Sequence, residues 1–209
     1  MGFGTLFIGY FLILNIFNYA YTDLISALIM MLGAYKLSGV GCDFKKGFYA
    51  LIPLCFVGAY ELIIEFLGMF TATPSSAVLT GLIGIVRMAL IGSASFYFIT
   101  AIKKLSEELE IPRLRDKTKS ARLGIIISYS IAMLLEIPYL DRLIPTKALA
   151  VIALLSLIYT FAVTLLVLSA IYSAYMRICM PEDLAKEEKL MPPPGSAKPP
   201  LHKKKKGHK

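Results

Sequence analysis

The dominant feature of this sequence is a succession of long apolar segments. A membrane-spanning helix needs roughly 20 mostly apolar residues to cross a hydrocarbon core of about 30 Å. Six segments approach or exceed that length, and the second is the shortest; they cover residues 3–20, 24–40, 47–69, 77–102, 123–140 and 148–176. The sequence therefore predicts an all-α, polytopic integral membrane protein, a bundle of about six transmembrane helices arranged as three helical hairpins.

Composition supports the same class. Of the 209 residues, 57% are hydrophobic and only 17% are charged, and the mean hydropathy is +0.69. Soluble domains carry about 25% charged residues. The apolar segments occupy most of residues 1–176, so the chain has little room for a separate soluble domain.

The distribution of lysine and arginine predicts the orientation of the bundle. Basic residues concentrate in the cytoplasmic loops of membrane proteins. Here they gather in the loop near residues 36–46, in the segment 103–122 and in the tail, whereas the opposite loops hold only Arg142 and Lys147. We therefore expect a protein of the cell or cytoplasmic membrane with both termini in the cytoplasm.

The tail, residues 177–209, is rich in proline and lysine and is expected to be largely disordered, because it cannot bury an apolar core. Four consecutive lysines, Lys203, Lys204, Lys205 and Lys206, are candidates for contact with anionic lipid headgroups. The alternative is that they only set the topology and are solvated. No aromatic interleaving or motif indicates specific nucleic-acid binding.

Three charged residues interrupt the apolar segments and form the main candidate site. Glu61 and Glu65 share one face of the third segment, since residues four apart are neighbours on a helix. Arg87 lies near the middle of the fourth. An unpaired arginine at the bilayer centre costs at least about 2.5–3.5 kcal/mol, so it requires a partner. The depths of the two residues predict a Glu61–Arg87 ion pair; Asp23 and Asp141 are expected in the loops.

Other polar residues could join this site in the outer half of the membrane. Glu136 lies at a similar level on the fifth segment, and Asn15, Asn18 and Thr160 add polar side chains from the first and sixth. Together they could line a cavity of negative charge that suits a cation or protons. A purely structural interpretation also remains open. In it, the Glu61–Arg87 pair only fixes the helix register, and the carboxylates of Glu65 and Glu136 at headgroup level only contact water. The hydroxyl side chains would then form ordinary hydrogen bonds between helices.

The sequence contains no sign of catalytic chemistry, a metal site or a cofactor. Both histidines, His202 and His208, lie in the tail, so haem ligation, an intramembrane zinc site and a Ser–His pair lack their ligand or base. Phosphate-binding glycine loops and H-E-x-x-H are absent. The sequence favours a protein that is not an enzyme, and it predicts no cofactor.

Two functional hypotheses remain open. The first is binding or transport of a small cation, protons or a cationic solute at the carboxylate cluster. The second is a non-transporting scaffold, assembly or regulatory protein that acts through its basic loop and tail. The expected partner in both cases is the lipid bilayer, and a homo-oligomer or a membrane partner stays an open alternative. The two hypotheses differ in whether the polar stripes converge on a cavity or close into a dry interface.

Overall fold

The computed structural model describes residues 2–13, 20–68 and 77–179, and in these ranges the regular structure is helical. The bounds of the helices are α1 Gly2–Leu12, α2 Ala20–Leu37, α3 Cys42–Gly68, α4 Ala77–Glu108, α5 Pro112–Leu135, α6 Leu140–Leu143 and α7 Thr146–Ala174, followed by a π-helical turn, Tyr175–Cys179. The tail predicted to be disordered lies, from residue 180 onward, outside the described residues.

The protein is a helical, multi-pass membrane protein. Four described helices, α3, α4, α5 and α7, are long and apolar enough to cross a membrane. Helix α2 has 18 residues, about 27 Å at 1.5 Å per residue, and α1 is a shorter apolar helix. Large apolar side chains are exposed along the outside of the bundle; examples are Phe56, Leu123 and Leu155. Such a surface is stable against lipid rather than water.

The helices pack in chain order and the ring closes on itself. Helix α1 contacts α2, α2 contacts α3, α3 contacts α4, and α4 contacts α5. Helix α5 packs on α7, and α7 in turn contacts α1. Small residues allow close approach: a Cβ on Gly33 of α2 would lie 2.7 Å from the backbone nitrogen of Leu6 in α1, and Gly47 of α3 lies against Phe98 of α4. The predicted three-hairpin order is therefore present, with short α6 inserted in the last connection.

Several boundaries differ from the sequence prediction. Helix α2 begins at Ala20 rather than near residue 24, so Asp23 lies in its first turn. Helix α5 begins at Pro112 rather than near residue 123, because proline at the first helical position starts a helix and the basic stretch after it continues one. Arg177, which the sequence places in the tail, lies in the π-helical turn that extends α7.

We name each end of the bundle after an aspartate that lies there, Asp43 at one end and Asp23 at the other. At the Asp43 end, α3 begins and α4 ends, and the buried carboxylate of Asp43 forms an ion pair with Lys104. At the Asp23 end, α2 begins and α3 ends. Ion pairs therefore join α3 to α4 at one end, and join both α2 and α3 to α4 toward the other.

Candidate functional site

Arg87 projects from the middle of α4 toward two acidic residues on different helices. Its Nη1 atom donates a hydrogen bond to Oδ2 of Asp23 at 3.1 Å. The same nitrogen lies 3.6 Å from Oε2 of Glu61, an ion pair too long for a hydrogen bond. The predicted Glu61–Arg87 pair is thus present, but Asp23 is the closer partner.

Asp23 lies inside the bundle, and the expectation that it belongs to a loop is wrong. Because α2 begins at Ala20, the aspartate lies in the first turn, where a carboxylate interacts favourably with the positive end of the helix dipole. Its side chain is only 11% exposed, compared with 21% for Arg87 and for Glu61. Asp23 is therefore the site residue that sequence reasoning misses. The signal that could have revealed Asp23 as a site residue is its position in the first turn of α2.

Two atoms of this cluster are buried without a hydrogen-bond partner among the described residues. They are Nε of Arg87 and Oε2 of Glu61. Because one guanidinium nitrogen serves both acids, the arginine does not make the paired, two-pronged contact that a carboxylate can accept. The cluster retains an unused donor and an unused acceptor, so it can accommodate a further hydrogen-bonding group.

Glu136 approaches the same face of α4 from the end of α5. Its carboxylate lies against Gly84, where an added Cβ would be 2.5 Å from Oε2. Gly84 is one turn from Arg87, and Glu136 is near enough to Glu61 for their charges to interact. A Cβ at position 84 would push this carboxylate aside. Glu136 is therefore counted with the cluster, because it lies beside α4 one turn from Arg87 and its charge interacts with that of Glu61.

The remaining predicted residues are distributed differently. Glu65 is exposed near the end of α3 and forms no described ion pair with Arg87. Asn15, Asn18, Lys203, Lys204, Lys205 and Lys206 fall outside the described residues. Thr160 is half-buried on α7, where its hydroxyl and that of Ser128 are hydrogen-bonded at 2.8 Å.

A cavity of about 260 Å³ adjoins the cluster and is bounded by α1, α2, α4, α5 and α7. Asp23 and Arg87 line it on one side, and Thr160 and Thr164 line it on another. Apolar side chains complete the wall; they are Ile13, Met88, Ile91, Leu157 and Phe161, together with the ring of Tyr129. Polar side chains of α2, α4 and α7 thus meet at this open space, whereas Glu61 and Glu136 are not among the residues that line it.

A buried hydroxyl network lies behind the wall of this cavity. The Tyr10 hydroxyl donates to Ser95 at 3.0 Å, and Ser95 donates to the carbonyl of Ile91. The hydroxyl of Tyr129, which lines the cavity, lies within hydrogen-bonding reach of Tyr10 and Ser95. The hydrogen bond from Tyr10 to Ser95 therefore joins α1 to α4 beside the cavity.

The charges of the cluster do not balance. Asp23, Glu61 and Glu136 supply three carboxylates against the single guanidinium of Arg87, which leaves two negative charges in excess when all are ionised. In residues 2–13, 20–68 and 77–179, no three His, Cys, Asp or Glu side chains are grouped to hold a metal ion. Electrostatically the site suits a cation bound through hydrogen bonds and a carboxylate.

Comparison with known proteins gives no relative for this chain. No family model, no curated protein and no solved structure matches it.

Proposed function

We propose that the protein binds a small cationic solute in the cavity beside Asp23 and Arg87 and moves it, or protons, across the membrane. The observation that supports this most strongly is the position of Asp23: its carboxylate lines a cavity of about 260 Å³ and belongs to a cluster with excess negative charge. A desolvated carboxylate facing an open volume is the natural partner of an ammonium group.

The shape and lining of the cavity favour an organic cation over a bare metal ion. Most of the wall is apolar, and two aromatic rings, Tyr129 and Phe161, border the space. Ligand sites in proteins combine such apolar walls with a few polar groups, and aromatic rings attract cations over their faces. The threonine hydroxyls on α7 would orient a donor on the solute.

Arg87 provides a way for a cation or a proton to be exchanged at Asp23. It contacts Asp23 and Glu61 through the same Nη1 atom, at 3.1 and 3.6 Å. An arriving cation competes with the guanidinium for Asp23, and Arg87 retains Glu61 while the solute is bound. A proton on Asp23 would release the arginine in the same way, so protons and the cation compete for one carboxylate.

Flux into proteoliposomes tests this proposal. Under an interior-negative potassium potential set by valinomycin, the wild type should accelerate the entry of radiolabelled guanidinium, a permanent cation with N–H donors, or of protons, the latter reported by trapped pyranine. Asp23→Asn should lower that rate by about tenfold or more, because a hydrogen bond to a charged group contributes about 1.5–3 kcal/mol.

Glu65→Gln is the matched control, because it removes an exposed carboxylate near the same end of the bundle. It should leave the flux unchanged. Rates equal to those of protein-free vesicles for both probes would reject the transport proposal. Equal losses in Asp23→Asn and Glu65→Gln would show that surface charge, rather than the cavity, controls the flux.

The orientation proposed with this function places the Asp43 end in the cytoplasm. The support is the distribution of lysine and arginine, which gather at that end and in the tail. The cavity then lies in the outer half of the membrane, and its solute would be taken from or delivered to the external side.

A further inference from the structure

A second pocket lies at the Asp43 end of the bundle, apart from the cavity. It has a volume of about 270 Å³ and is lined by Arg113, Leu114 and Lys117 of α5 and by Ser173 and Arg177 at the end of α7. Three of its five lining residues are cationic, and they come from two different helices. None of the sequence predictions assigns a site to these residues.

The cations of this pocket have no acidic partner among the described residues. The ion pairs of that part of the chain involve other basic side chains. Lys117 instead donates hydrogen bonds to Ser169 at 3.2 Å and to Ser173 at 3.1 Å. An ammonium group has three donors, so two hold it in place on α7 and one remains for a ligand.

The pocket lies at the depth of lipid headgroups. Helix α7 has 29 residues, about 43 Å at 1.5 Å per residue, which exceeds the hydrocarbon thickness of about 30 Å. At least one end of an upright α7 therefore extends beyond the hydrocarbon core, and Arg177 in the turn directly after α7 favours this end. Tyr172, next to Ser173, is exposed on the outside of the bundle, as aromatic anchors at the membrane interface are.

We infer that this pocket binds the phosphate group of an anionic phospholipid headgroup. Two guanidinium groups and one ammonium group, held by two helices, match a phosphate in charge and in hydrogen-bonding geometry. Basic pockets between transmembrane helices bind anionic headgroups in this way. The pocket and the proposed transport cavity lie at opposite ends of the bundle, so either proposal stands without the other.

A single tryptophan makes the binding measurable, because the chain contains none. Tyr172→Trp places the reporter beside the pocket. In phosphatidylcholine-containing micelles, phosphatidylglycerol with brominated chains should quench its emission at about tenfold lower concentration than brominated phosphatidylcholine. The attraction between the anionic lipid and the three basic residues, weakened by their partial exposure to water, accounts for this preference.

In the same background, Lys117→Met should lower the preference for phosphatidylglycerol to about fivefold, and the double variant Arg113→Met/Arg177→Met should lower it to about twofold, because the three cations share the attraction. Lys119→Met is the matched control: it removes an exposed lysine two positions along α5 that does not line the pocket, and it should keep the preference. Unchanged emission spectra before lipid is added would show that each variant is folded.

Three results would overturn the inference. The first is equal quenching by the two brominated lipids. The second is a loss in Lys119→Met as large as that in Lys117→Met, which would indicate attraction to general positive charge. The third is reversal of the quenching by inorganic phosphate at millimolar concentration, which would show a site for a free anion rather than for a lipid.

Discussion

Replacing Arg87 with methionine should lower the free energy of unfolding in detergent by about 3 kcal/mol. Removing one partner of a buried ion pair costs about 3–5 kcal/mol, because the other charge stays buried without compensation. The lower end applies here because about a fifth of the Arg87 and Glu61 side chains is exposed. The variant would leave Asp23 and Glu61 facing each other without a cation between them.

The acidic partners should not be equivalent. Asp23→Asn removes the negative charge from the hydrogen-bonded contact at 3.1 Å, whereas Glu61→Gln removes the charge from the longer contact at 3.6 Å and also relieves repulsion with the other carboxylates. Asp23→Asn should therefore be the more destabilising of the two. Adding Asp23→Asn to Arg87→Met should recover part of the loss, since one of the two uncompensated carboxylates becomes neutral.

Thermal unfolding of four proteins measures this coupling: the wild type, Asp23→Asn, Arg87→Met and Asp23→Asn/Arg87→Met form a double-mutant cycle. Losses that simply add would show that Arg87 and Asp23 do not interact. Glu65→Gln is again the control and should leave the unfolding temperature unchanged, since the Glu65 side chain is exposed.

Replacing Gly33 with valine should destabilise the protein by about 2 kcal/mol, the second largest effect expected. A Cβ at this position would lie 2.7 Å from the nitrogen and 2.9 Å from the Cα of Leu6. These are backbone atoms, which cannot rotate away, so α1 and α2 must separate. Overpacking of this kind costs about 1–3 kcal/mol, more than the slight gain in helix propensity over glycine.

The unfolding temperature of Gly33→Val measures this effect, and Gly68→Val provides the matched control. Gly68 is also helical, but in residues 2–13, 20–68 and 77–179 no atom lies within 4 Å of the point where a Cβ would be added. We expect the control to unfold within error of the wild type. Equal behaviour of the two variants would mean that α1 and α2 do not approach closely at Gly33.

The fold is accessible to sequence reasoning because its main determinant is local. Four of the six apolar segments form helices long enough to be recognised as membrane spans, and short connections force neighbours to pack as antiparallel pairs. The boundaries are less accessible, because polar residues continue a helix beyond its apolar part. The basic stretch after Pro112 forms the first turns of α5, although its composition resembles a loop.

Only part of the site can be predicted from the sequence, for a related reason. Glu61 and Arg87 can be paired because they lie on adjacent segments, where depth alone relates them. Asp23 cannot be paired with Arg87 in this way, because its place in the cluster depends on where α2 begins and on how α2 packs against α3 and α4. Glu65 shares a helical face with Glu61, but it lies in the last turn of α3, where the side chains are exposed.

The most direct test of the central claim is the charge selectivity of thiol labelling inside the cavity. Thr160→Cys would be introduced into a protein whose Cys42, Cys55 and Cys179 are replaced by alanine. Two reagents of similar size would be compared: the cationic trimethylammonium-ethyl and the anionic sulfonato-ethyl methanethiosulfonates. Leu143→Cys, at an exposed position outside the cavity, gives the reference ratio of the two rates.

If Asp23, Glu61 and Glu136 make the cavity attractive to cations, the thiol of Thr160→Cys should prefer the cationic reagent about tenfold more than the thiol of Leu143→Cys does. One favourable charge interaction of about 1.4 kcal/mol changes a rate by that factor. Adding Asp23→Asn should abolish most of this preference. A thiol at position 160 that fails to react, or that reacts faster with the anionic reagent, would contradict the account.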